Sequence, residues 1–91
     1  MVSFGSRLHL DSMPSVERRA RALTDTARGF VLRGEDEAAI LVLIDAEQVS
    51  ADEVRHSTLV HKLLRELIHR DRARARAHVR ALARRVGLIA A

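Results

Sequence analysis

Apolar residues recur at three- and four-residue intervals from Leu23 onward, so Leu23, Ala27, Phe30 and Val31 share one face of a helix. The pattern stops at Gly34, where a left-handed residue can close the helix. Glu35, Asp36 and Glu37 follow, and carboxylates suit the positive end of a new helix dipole. Ala39, Leu43 and Ala46 make a second stripe, which Ile40, Leu41, Val42 and Ile44 broaden. This predicts helices over 15–33 and 35–48, folded back to back about Gly34. The small Ala27 and Ala39 stand where two such rods approach closest, and Phe30 and Leu43 are expected to meet across the bend. The pattern is that of a tight helical hairpin.

The flanks extend this pattern. Asp11-Ser12-Met13-Pro14-Ser15 is a helix-start signal, with Ser12 or Ser15 as the cap and Glu17 in the first turn. Residues 1–13 show no clean period. Their Phe4, Leu8 and Leu10 suit an N-terminal arm or linker ahead of one helical domain over 14–91. After the hairpin, Ser50-Ala51-Asp52-Glu53 fits a capping box, and Ser57 offers a second cap. A helix starting near Ser57 leaves a loop or one short turn before it. Its apolar face is Leu59, Val60, Leu63, Leu64, Leu67 and Ile68, with Lys62, Arg65, Glu66, His69 and Arg70 turned outward. Ala75, Val79, Leu82, Val86 and Ile89 then mark a last amphipathic helix. The expected fold is all-α: a helical hairpin and two covering helices, about four in all. The wide stripes on the last two helices exceed what one hairpin covers, which predicts a homodimer.

The hairpin residues resemble a tetratricopeptide repeat. Leu23, Ala27, Phe30, Gly34, Ala39, Leu43 and Ala46 stand at that family's large, small, aromatic, glycine, small, large and small positions. Ser50-Ala51 replaces the proline that often closes the repeat. A longer run, from Glu17 through LLREL and on to LARRVGL, is similar to the C-terminal tetratricopeptide-like region of actinobacterial XRE-type transcriptional regulators. Ala46, Glu47, Glu53, Val54, Arg55, His56, Leu59, Val60, Leu64, Leu67 and Leu82 to Gly87 carry that likeness. Thr58 departs from it, standing where members often have proline. No helix-turn-helix pattern lies in the 91 residues, so direct operator reading does not carry over. The resemblance implies a protein–protein interaction or self-association module in a transcription-regulator setting. In tetratricopeptide proteins the first helix of each repeat lines the groove that holds a partner. Here that assigns Arg21, Thr24 and Arg28, a polar stripe beside the apolar one, to contact with an acidic peptide or protein.

Composition narrows the chemistry. The chain is 47% hydrophobic but only 2% aromatic, with no Trp or Tyr, so its core is built of aliphatic residues. It has no cysteine, which removes disulfides and thiolate metal ligands. No apolar run reaches the roughly 18 residues of a membrane span. MVSFGSRLHL lacks the form of a signal peptide, so a cytoplasmic protein is expected. His56, His61 and His69 are spaced five and eight apart, unlike helical metal pairs. No serine has a histidine and an acid at an informative spacing. Neither a catalytic site, a metal nor a cofactor is expected.

Charge is uneven. Residues 1–70 carry 10 Lys/Arg and 11 Asp/Glu, while residues 71–91 carry six Arg and one Asp. Arg72, Arg76, Arg80 and Arg84 advance by four and form a slowly winding ridge, which Arg74 and Arg85 broaden. Three roles compete for it. Dense arginines suit sequence-blind phosphate contacts, which makes nucleic acid the alternative partner through Arg72, Arg74, Arg76, Arg80 and Arg84. They also suit pairing with the seven acids between Gly34 and Val54, within the chain or across a dimer. They are otherwise simply solvated. The absence of Trp and Phe from this helix argues against a membrane surface.

Overall fold

The computed structural model describes residues 15–90. The arm expected over 1–13, with Phe4, Leu8, Leu10 and the alternative cap Ser12, lies outside the described residues, as does Pro14. Five helices follow one another: α1 (Val16–Leu32), α2 (Asp36–Val49), α3 (Ala51–Arg55), α4 (Thr58–Arg70) and α5 (Arg76–Arg85). The described residues contain no strand, and the all-α class is as expected.

Each boundary has a local cause. Ser15 caps α1 by accepting the Arg18 N–H at 3.0 Å. Gly34 closes α1 at φ 77°. Its N–H reaches the Val31 carbonyl at 3.0 Å, and the Glu35 N–H reaches Phe30 at 2.9 Å. This paired return of N–H groups satisfies carbonyls that the helix end would otherwise orphan. Gly87, at φ 80°, repeats the device after α5, with Gly87 N–H on Arg84 and Leu88 N–H on Ala83. Before Ser57, where a loop or one short turn is expected, the chain forms the helix α3, and both proposed caps are used. Ser50 accepts the Glu53 N–H at 3.2 Å, and Ser57 accepts the Val60 N–H at 3.1 Å.

The hairpin is formed by α1 and α2, the most extensive packing between helices; α4 then packs on α1, and α5 on α4 and α2. Ala20, Ala27, Ala39 and Ala46 are wholly buried, as small residues must be where helices cross closely. Leu43 forms one core cluster with Ala27, Ala39, Ala46 and Val54, the last from a stretch the sequence reads as a connection, and Phe30 packs against it. Every buried apolar residue described is Ala, Val, Ile or Leu.

Three expectations are corrected. The stripes of the last two helices are not left over for a dimer: Val60, Leu63, Leu64, Leu67, Val79, Leu82 and Val86 are all buried within the chain. What stays open is elsewhere, with Leu32 at 74% and Leu41 at 46% exposure. Thr24 does not lie on an open polar stripe. It is 5% exposed, and its hydroxyl donates to the Ala20 carbonyl at 2.9 Å, so it enters the core satisfied. Arg70 does not face outward either, for it folds back onto the hairpin turn.

Candidate interaction surfaces

Arg70 ends α4 with its guanidinium against the α1–α2 turn. One nitrogen donates to Asp36 Oδ1 at 2.6 Å and to the Val31 carbonyl at 3.0 Å. Its Nε donates to Glu66 at 3.2 Å, one helical turn back. The Asp36 hydrogen bond is the largest cause of a pKa raised above the ordinary arginine value. The Asp36 side chain is 2% exposed, and its second oxygen, Oδ2, has no hydrogen-bond partner. Arg72 Nε is 4.0 Å from that oxygen.

Above this pair opens a cleft of about 510 Å³, lined by Gly34, Glu35, Asp36, Glu37, Ala38, Arg72, Ala73 and Arg74. Its walls are the start of α2, which has no side-chain cap, and the turn into α5. Three acids and two arginines face it, so its charge is mixed. No hydroxyl, imidazole or thiol lines it.

A second cleft, of about 320 Å³, lies between α1 and the α3–α4 corner and is lined by Arg21, Thr24, Asp25, Glu53, His56, Ser57, Thr58 and Leu59. Two of the three residues assigned to partner contact, Arg21 and Thr24, meet here; Arg28 is exposed further along α1 and is not on the lining. Arg21 Nε donates to Glu53 at 2.9 Å across the cleft, which raises the Arg21 pKa. Asp25 and Glu53 thus offset the positive charge expected of this face. The polar groups that suggest chemistry are committed to structure. Ser57 Oγ caps α4, and His56 Nδ1 lies 3.0 Å from the Asp52 carbonyl. Among the described residues, no three His, Asp or Glu side chains group as metal ligands.

The arginine ridge is divided by the fold. Helix α5 begins at Arg76, so Arg72 and Arg74 belong to the preceding turn. Arg76 Nε donates to Asp71 Oδ1 at 2.7 Å, and its terminal nitrogen to the Asp71 carbonyl at 3.2 Å. Arg80 stands 3.9 Å from the same carboxylate. Arg85 pairs with Glu47 of α2 at 2.8 Å. Arg74 and Arg84 are exposed and form no ion pair among the described residues. The ridge therefore serves both pairing within the chain and open charge.

The third surface is on α2. Its buried side carries Ala39, Ile40, Leu43 and Ala46. The other side carries Glu37, Leu41 and Asp45, all exposed, with Ala38, Val42 and Ile44 half-buried at its edges. No helix of the described residues is long and apolar enough to cross a membrane. Compared with family models, curated proteins and solved structures, the chain matches none.

Proposed function

We propose that this chain is a non-catalytic helical interaction module that associates with a second copy of itself, in the service of transcriptional regulation. The observation that carries the reading is the open side of α2, where Leu41 is 46% exposed with half-buried Val42 and Ile44 beside it. The tetratricopeptide-like spacing from Leu23 to Ala46 supports a docking role, and the likeness to XRE-type regulators supports the setting. The commitment of Ser57 and His56 to helix caps and backbone supports a role without catalysis. The cleft holding Arg21 and Thr24 is the candidate seat for a further peptide, which its mixed charge selects to be mixed as well. Equilibrium sedimentation tests the central claim: twice the 10.2 kDa chain mass is expected, and a strict monomer across the concentration range overturns it.

Open charge at Arg74 and Arg84 favours a second reading, in which this end of the molecule grips nucleic-acid phosphates. Binding to duplex DNA would then fall steeply with added salt and weaken in Arg74→Ala plus Arg84→Ala. Unchanged binding in that double variant removes these arginines from the reading.

A further inference from the structure

We propose that the self-association uses one reciprocal contact: the open side of α2 in each copy seats on the outer side of α5 in the other. This rests on the self-association proposed above and names its surfaces. On α2, Glu37, Leu41 and Asp45 advance by four and form one ridge, an apolar knob between two acids. Neither acid forms an ion pair among the described residues. The outer side of α5 is the converse. Exposed Ala77 and half-buried Ala81 leave a shallow floor, lined by Arg84, which is open, and by Arg80 and Arg76, which also face Asp71.

The dimensions agree. Glu37 to Asp45 and Arg76 to Arg84 each span eight residues, about 12 Å of helix. Leu41 set between the alanines therefore brings both acids within reach of guanidinium groups. Opposite charges across the contact fix its register and reject like faces. The contact is also able to close on itself. Helices α2 and α5 are neighbours in one chain, tied by Arg85 and Glu47, and each is buried on its inner side. Under a two-fold axis the two α2–α5 contacts are equivalent, so the proposed contact closes as a dimer rather than a filament.

Charge reversal tests this by sedimentation, with far-UV circular dichroism as the check on folding. Glu37→Arg plus Asp45→Arg makes both faces basic, and Arg80→Glu plus Arg84→Glu makes both acidic. Each variant alone is expected to sediment as a monomer, and an equimolar mixture of the two is expected to recover twice the monomer mass. If the wild-type chain is dimeric and either variant stays dimeric, the α2–α5 contact is wrong while self-association stands. If the wild-type chain is monomeric, both proposals fall. Leu41→Lys provides a second route should a charge-reversed chain fail to fold: loss of the dimer supports the contact, and a dimer unchanged overturns it.

Discussion

Arg70 gives up the rotamer freedom of a long side chain, and the two acceptors at the α1–α2 turn explain why that is favourable. The Val31 carbonyl belongs to the last turn of α1, and Asp36 to the first turn of α2. One guanidinium therefore ties α4 to both ends of the bend. Removing it would leave the buried Asp36 carboxyl without its donor. Arg70→Met is expected to destabilise the fold by about 3 kcal/mol in urea unfolding. Adding Asp36→Asn should recover part of that loss; a silent Arg70→Met would mean that the buried carboxylate is otherwise satisfied. Asp71 obeys a different rule, because it is exposed and sits at φ 51°, unusual for a non-glycine residue. The Arg76 hydrogen bond holds its carboxyl below the usual carboxylate pKa. A depressed folded pKa gives stability that is present above the unfolded value of about 3.9 and lost as pH falls through the folded value. Asp71→Asn should therefore flatten the acid limb of a stability–pH curve below that value and leave its neutral limb with the same slope. An acid limb unchanged in the variant would place the titration elsewhere.

At the scale of the element, the hairpin depends on alanine. Ala27 and Ala39 are fully buried in the core that α1 and α2 share. Ala39→Leu must push the rods apart, and a loss of about 1–3 kcal/mol is expected in thermal or urea melts. A neutral result would show that the crossing is looser than its burial implies. The hairpin was legible in the sequence because Gly34 interrupts two long helical periods, each with its own small residues. The first covering helix was legible down to its cap at Ser57, whereas the last was read as far as Ile89 and ends at Arg85. Helix α3 was legible only in its cap, Ser50, because five residues are too short to show a period. Thr24 misled because its hydroxyl finds an acceptor within its own helix, something no pattern of polarity reveals. Arg70 misled because its acceptor lies 34 residues away in the chain. The open clefts were only half legible: Arg21 was singled out, but its partner Glu53 came from a stretch read as connection.

At the scale of the molecule, α5 shares one core with the hairpin rather than resting on it as an appendage. Leu82 is fully buried in the same cluster as Leu43 and Leu64. Leu82→Ala is expected to lower stability by about 3 kcal/mol while the chain still melts in one transition. Two transitions would show that α5 detaches alone and that the hairpin folds without it. The same unity bears on association, since a face on α5 keeps its position relative to α2 only if both belong to one cooperative unit.

A core whose buried apolar side chains are all aliphatic among the described residues has a practical consequence for anyone watching this protein fold. With no tryptophan or tyrosine anywhere in the chain, it is nearly dark to near-ultraviolet light. Its packing is written instead in methyl groups. Carbon-13 labels on alanine, leucine, valine and isoleucine would turn almost the whole interior into a magnetic-resonance map.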